Sequence, residues 1–598
     1  MSGGESLENT IGEAKELEKT YDWMGSVEHY CTALDIISEH DKRRAAEVHE
    51  CIGYSFFRAA RQADNVEEFQ KRMRLSVESY ERAAELFEKL DSSASHYCRG
   101  MARYSEAWLV EDPSQKKRLL DDCWRVLKKA FEGFGASKNY RAYGKAFRGL
   151  GDCLQFKLNF VDDWREAKRL VEEMLWHGVD AISRLSEIED VDGLLWAYLI
   201  MSLLMVGNLE FFEERKEEFM SSISDYLGKV SSLLNRIEDA YFHAALELAN
   251  VNASLWVRGD QHDASKHAEK MLQHGEKLKD HFVLVMSYFA LDFVLTITAA
   301  TEEDPEKRRE KINMGMRFAE ESVRQALLVR RYDWISYAYA FYLIDDYIFL
   351  AELETDLEHK RALLKQAVDV GRKGSEYAPL SGEPYAIRSD FHSLSKALFF
   401  LSETETNVGE KKRLLDESLE LREKVIRDYR QILPQDHWDY GLDYNYLALI
   451  KASLATIAKD EAKKRYLLEG AVSDMEQCLK ICTEFLQRPP APMPQSFAFL
   501  GWYHDWFGEI LNQLYTLTKD DSIVCKAIEV NKDAAQVYRK AGMPSRVAEA
   551  HWKAARLLDR QGEYTKAADN FELAAKDYQL VTEKIPQFQR FYQDHKAY

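Results

Sequence analysis

The sequence predicts an all-α fold, a right-handed α-solenoid of about 12 antiparallel helical hairpins, and three observations predict it. Apolar residues recur at i, i+3, i+4 and i+7 from Leu7 onward, while stretches of alternating strand pattern are essentially absent. The chain of 598 residues holds only 11 prolines and 28 glycines, which leaves long runs without a helix breaker. Its length also exceeds one compact core of roughly 100 to 200 residues, and an elongated core built by stacking repeats answers that need.

Along the chain, the pattern breaks at short polar or proline-bearing joints. These are Asp112-Pro113, Asp304-Pro305, Pro379 to Pro384, Leu433 to Asp436, and Gly542 to Pro544. They cut the chain into about 24 helices, joined by the short connections usual between antiparallel neighbours. One joint stands apart: four prolines between Pro489 and Pro494 force extended backbone. Three segments are therefore expected. Residues 1–488 form a solenoid of long-helix repeats, 489–494 a stiff proline bend, and 495–598 a set of C-terminal repeats. A polyproline ligand for another domain is the alternative reading of the bend.

Small and large residues alternate at fixed offsets near the C-terminal end, at Ala555, Leu558, Ala567, Phe571 and Ala574, with Gly562 where a hairpin would turn. The same offsets recur at Ala14, Leu17, Ser26, Tyr30 and Ala33. Both sets closely resemble the tetratricopeptide (TPR) consensus. That resemblance implies a small residue of each first helix meeting a small residue of the second, with an aromatic filling the gap beside them. Between the ends the pattern is looser, as in Ile52-Gly53 with Ser76, Tyr80 and Ala83, so the helices there are longer than in a 34-residue repeat. Arg309, Arg361, Arg413 and Arg465 fall 52 residues apart, each in a basic cluster that follows an acidic or threonine-rich joint. A unit of that length fits two helices of roughly 22 residues plus turns, the cluster opening the second helix. The repeated arginine reads as a solvent-facing turn, with a binding stripe as the alternative.

The composition, 46% hydrophobic and 30% charged, excludes a disordered chain. A formal charge of −20 argues against nucleic acid as the main ligand, which needs a net basic face. The most apolar stretch, Phe282 to Ala300, carries Asp292 in its middle and reads as a helix buried within the stack; Leu194 to Val206 reads the same way. The N-terminal residues lack the basic region and apolar run of a signal peptide. The eight cysteines form no CxxC, and a cytoplasmic protein with reduced thiols is expected; Cys478 and Cys482, one turn apart, lack the companions of a metal site.

No phosphate loop, HExxH, GxSxG or GxGxxG motif occurs, so neither catalytic residues nor a cofactor or metal is expected. Asp436 to Asp439 and His504-Asp505 set imidazole beside carboxylate, and they read as caps and surface polar groups. Two segments are dense in aromatics, Tyr332 to Phe349 and Trp438 to Tyr446; most belong to the core, and those on the concave face would offer rigid contact area. The resemblance places groove-lining positions on the first helix of a repeat. In the last repeat these are Glu549, Trp552, Arg556 and Asp559, and in the first Glu8, Ile11, Lys15 and Glu18. The carboxylate clamp of chaperone-binding TPR domains is missing from both sets, because Ile11 and Trp552 stand where it needs Lys.

The expected function is that of a non-enzymatic scaffold or adaptor holding a protein or peptide partner, basic or mixed in charge, in the superhelical groove. A regulatory or sensor module of a larger protein or complex is the alternative, since Asp577 to Tyr598 reads as an amphipathic helix with no polar cap after it. A helical-repeat enzyme whose site is assembled from distant residues is the third.

Overall fold

The computed structural model describes residues 3–584 apart from 236, 238 and 489–493. Most of the proline bend and the final stretch after 584 thus lie outside the described residues. Twenty-five α-helical segments are present, and no strand occurs among the described residues. Tyr332–Tyr337 and Ile344–Leu353 form one rod through a π-helical turn at Ala338–Leu343, which leaves 24 helices. They pair in sequence as antiparallel hairpins, Lys42–Ala60 with Val66–Phe87 and His281–Ala300 with Pro305–Leu328 among them.

Short polar side chains start these helices. Asp41, Asn65, Asp91, Asp112 and Asn139 open five successive helices, each accepting a hydrogen bond from a first-turn backbone N–H. Three of these five caps are acids, held by their own helices. In the 52-residue units the caps are Asp304, Asp356, Asn407 and Asp460, so each basic cluster opens a second helix. Of the four repeated arginines, Arg309 and Arg361 reach the joint after the next helix, meeting Glu354 at 2.9 Å and Glu405 at 3.5 Å. Among the described residues, Arg413 and Arg465 pair only within their own helices. Half of the series therefore staples neighbouring hairpins rather than only facing solvent. One joint also lies elsewhere than its prolines suggest. The helix Leu357–Ser381 runs through Pro379 and stops at Gly382, whose φ of +68° supplies the left-handed residue that ends a helix.

The small-residue pattern acts as spacing chemistry. A Cβ on Gly53 would lie 2.8 Å from the Tyr80 ring, and Ser76 Oγ donates to Gly53 O at 2.7 Å. At the N-terminal end Ala14, Tyr30 and Ala33 are buried with Ile11 and Ile52 in one cluster. At the C-terminal end Gly562, φ +78°, makes the turn between Pro544–Arg560 and Tyr564–Lys584. His281–Ala300 is long and apolar enough by composition to cross a membrane, but half of it is buried, Asp292 completely. A single apolar cluster joins Leu468, Met475 and Cys478 to Leu500, Tyr503 and Phe507, so the residues after 493 pack directly on those before 489.

The decisive contacts are those between residues far apart in sequence. Arg61 binds Asp280 at 2.9 Å, His281 N donates to Arg61 O at 2.8 Å, and Gln62 donates to Leu278 O at 2.7 Å. Asn159 donates to Asp333 at 3.0 Å, Trp164 N to Gln431 O at 3.1 Å, and Ser545 N to Glu303 at 3.0 Å. The array is wound tightly enough that successive superhelical turns touch along a polar seam.

Candidate functional site: a cavity inside the winding

Because the turns touch, the concave side becomes a cavity of about 1240 Å³, walled by residues from Glu18 to Phe499. That exceeds the roughly 300–1,000 Å³ of an ordinary small-molecule pocket. First helices supply most of the wall, through Tyr54, Arg148, Trp196, Phe282, Trp334 and Tyr385. This explains why helices such as Val191–Gly207 are apolar on every side: one face meets the partner helix, the flanks meet neighbouring hairpins, and the last lines the cavity.

Charged groups on the wall are mostly matched. Lys145 pairs with Glu50 at 2.7 Å, Arg61 with Asp280, and Arg331 with Asp333 at 2.9 Å. Arg388 pairs with Asp439 at 3.0 Å, and His437 with Glu210. Burial alone would lower His437, but Glu210 and then Asp439 outweigh it and raise its pKa, which favours the imidazolium. Arg331 lies over the rings of Phe282, Phe156 and Trp108, at 4.6, 4.8 and 5.3 Å.

Glu18, Asp152 and Asp192 on the wall have no ion pair among the described residues and are raised by burial, and two further places depart from this balance. Arg58 and Arg148 both donate to the Tyr54 hydroxyl, at 2.9 and 3.3 Å, and neither has a carboxylate within ion-pair distance among the described residues. Their guanidiniums lie over Tyr241 at 4.0 Å and Trp196 at 4.1 Å. Burial pushes the Tyr54 phenol up, yet Arg148 and Arg58 outweigh it and hold it below its ordinary value, so the local field is positive. Elsewhere on the wall, Glu383 is 7% exposed; Tyr337 donates to its Oε1, while Oε2 has no hydrogen-bond partner among the described residues. Burial, reinforced by Asp333, pushes Glu383 up to about 8.

The sequence-derived positions are spread between surface, core and cavity. Of the first set, Glu18 lines the cavity and accepts from Tyr30 at 3.0 Å and Ser55 at 3.2 Å, and burial raises its pKa. Ile11 is in the core, Lys15 is exposed, and Glu8 is exposed and paired with Arg44 at 2.5 Å. Of the second set, Glu549 pairs with Arg546 and Lys553 at 3.0 and 3.3 Å, Arg556 lies over Trp552 at 4.7 Å, and Asp559 is exposed. These four do not join the cavity wall.

The imidazole–carboxylate pairs are not surface groups. His437 does cap its helix, accepting from Asp439 N at 3.1 Å, but Asp439 and its ion pair with Arg388 are held on the cavity wall. Asp505 is buried, taking hydrogen bonds from Tyr538 at 2.6 Å and Lys553 at 3.1 Å. Trp334 and Tyr337 from the first aromatic segment and Trp438 from the second reach the cavity, whereas Tyr342, Phe349, Tyr440 and Tyr446 are core. Five of the eight cysteines are buried, Cys478 and Cys482 included. No local motif marks Tyr54, Arg58, Arg148 or Glu383, because their juxtaposition depends on the winding.

No protein-family model matches the sequence, and no curated protein matches it. Solved structures show a similar helical array. A signal-transduction ATPase with numerous domains and a tetratricopeptide repeat sensor, from Pyrococcus horikoshii, is 13% identical with TM-score 0.36. The likeness covers 77% of this chain and 66% of that one, so this chain spans just under two thirds of the ATPase. A monomeric IFIT1 mutant with m7Gppp-AAAA is 11% identical, TM-score 0.36, over 89% of this chain and 90% of that one. The Cut9 and Hcn1 hetero-tetramer of the APC/C gives 13% identity and TM-score 0.28 over 95% and 96%. Scores this low fix neither the curvature of the array nor its ligand.

Proposed function

We propose that this chain is a non-enzymatic recognition module whose ligand binds inside the wound array, against the first helices. The observation that carries the reading is the cavity walled by hairpins of both superhelical turns, with aromatic faces, matched ion pairs and two unmatched poles. A volume of this kind suits a peptide segment or a small molecule better than a folded domain. The sensor reading draws on the same geometry. A ligand that touches both turns favours the closed winding by its differential affinity, about 2.7 kcal/mol at a hundredfold excess over Kd. Such a module would report occupancy through the seam.

Site-specific photocrosslinking in native lysate tests the location. A photoreactive residue at Asn252, on the cavity wall, should give a specific adduct, while one at Trp176, 69% exposed on the outer helix Trp164–Glu187, should not. Adducts only at position 176, or at neither position, reject binding inside the array.

A further inference from the structure

The two unmatched poles share one cavity and differ in sign. On the cationic side Arg58 is 5% exposed, and it and Arg148 converge on one phenol oxygen while stacked on Tyr241 and Trp196. Burying guanidiniums without a counter-ion is costly, and stacking plus one shared hydroxyl satisfies few of their donors. They are held in place, with donors left over. Asp152 and Asp192 belong to the same wall, a turn from Arg148 and Trp196, and neither lies within ion-pair distance of either arginine. Burial raises both carboxyls, and Tyr54 reports that the positive field prevails.

Of the other acids on the wall, Asp333, Glu210 and Asp439 are answered by Arg331, His437 and Arg388. Glu383 is the exception, with a buried, unpartnered Oε2. Tyr337 lies against it, and the Tyr385 and Trp334 rings lie 6.2 and 6.3 Å from that of Tyr337. A carboxyl beside aromatic rings is suited to an ammonium group, which pairs with the acid and is attracted to the ring faces. On the same wall, Phe282 is bracketed by Arg61 at 5.1 Å and Arg331 at 4.6 Å, each already neutralised by its aspartate. This part of the wall is therefore apolar and balanced in charge.

We propose that the cavity is a bipolar site for a short peptide with both termini free, its carboxylate taken by Arg58 and Arg148 and its ammonium by Glu383 beside Tyr337. This rests on the cavity being the binding site. Blocking either terminus removes one charge-assisted contact and leaves a buried group unpaired, which should weaken binding about thirtyfold. An ammonium at Glu383 also draws its carboxyl into the ionised form, so binding at neutral pH releases a proton.

Equilibrium dialysis of the full chain against a random tripeptide pool, read by mass spectrometry, tests this directly. The free pool should be retained, and N-acetylated and C-amidated pools should each lose about thirtyfold. Arg148→Gln, which leaves Arg58, should sharply reduce the penalty of amidation and keep that of acetylation; Glu383→Gln, nearly isosteric with the neutral acid, should abolish the penalty of acetylation and keep that of amidation. If Arg148→Gln loses helical circular dichroism, Arg148→Lys, which keeps the charge but not the fork, replaces it and should lose part of the discrimination. No retention of the free pool, or retention indifferent to both blocking groups, overturns the proposal. If an adduct still forms at position 252, only the ligand class fails; if none forms, the binding module fails with it.

Discussion

Asp280 caps a helix and joins two superhelical turns, and replacing it by Asn separates these tasks. The carboxylate is fully buried. It accepts from Phe282 N at 3.0 Å and Val283 N at 3.2 Å as an N-cap, from Arg61 Nε at 3.0 Å and Nη2 at 2.9 Å as an ion pair, and from Tyr241 at 3.0 Å. Asn retains a cap oxygen, so the ~1 kcal/mol of the cap survives. The charge is lost, and Arg61 is left as a buried cation without its counter-ion, a defect of roughly 3–5 kcal/mol. The cost falls on the seam rather than on the helix. Closed seam amides such as His281 N, bonded to Arg61 O at 2.8 Å, and Ala240 N, bonded to the Tyr21 hydroxyl at 2.6 Å, should exchange about a hundredfold or more faster. Mid-helix amides of Lys42–Ala60 should change far less. Hydrogen exchange with mass spectrometry reads both, and small-angle scattering should show a larger radius. Unchanged seam protection in Asp280→Asn would refute the claim that this ion pair closes the winding.

Three further outcomes follow from the interior. Asp443 is fully buried and binds Arg388 at 2.6 Å, Arg422 at 2.8 Å and His392 at 2.7 Å, so Asp443→Ala should cost about 3–5 kcal/mol in denaturant unfolding monitored near Tyr446, whereas a loss under about 1 kcal/mol would contradict a tight network. Gly53→Ala should cost about 1–3 kcal/mol by melting temperature, because the added Cβ lies 2.8 Å from a Tyr80 ring that is 1% exposed. Stability should also fall at both ends of the pH range. Glu383 and Asp390 are raised by burial to about 8 and about 7, so their contribution, complete at acid pH, is lost as pH rises through those values. His392 and His504 are lowered by burial to about 4, so theirs is lost as pH falls toward 4. Glu383→Gln with Asp390→Asn should flatten the alkaline limb of the pH–stability curve and leave the acid limb unchanged.

Helix class, repeat number and hairpin spacing were legible because they are local. The 52-residue spacing of Arg309, Arg361, Arg413 and Arg465 located four second helices, and the caps before them agree within a residue or two. Gly562 marked a turn because few other residues adopt a φ of +78° readily. The interior was less legible. His437 and Asp439 look like cap and surface groups in sequence, and their burial comes from contact with Glu210, more than 200 residues earlier in the chain, and Arg388, about 50 residues earlier.

Residue type and period alone therefore determined a stack of helical hairpins with a lined concave side, since each amphipathic pair must bury its faces on the next. How tightly the stack winds is a different quantity. It is the sum of small rotations at every hairpin interface, and a change of a few degrees per repeat decides whether Arg61 meets Asp280 or faces open solvent. Only the tertiary structure sets that sum, and with it the closure that turns a groove into a cavity with one cationic and one acidic pole.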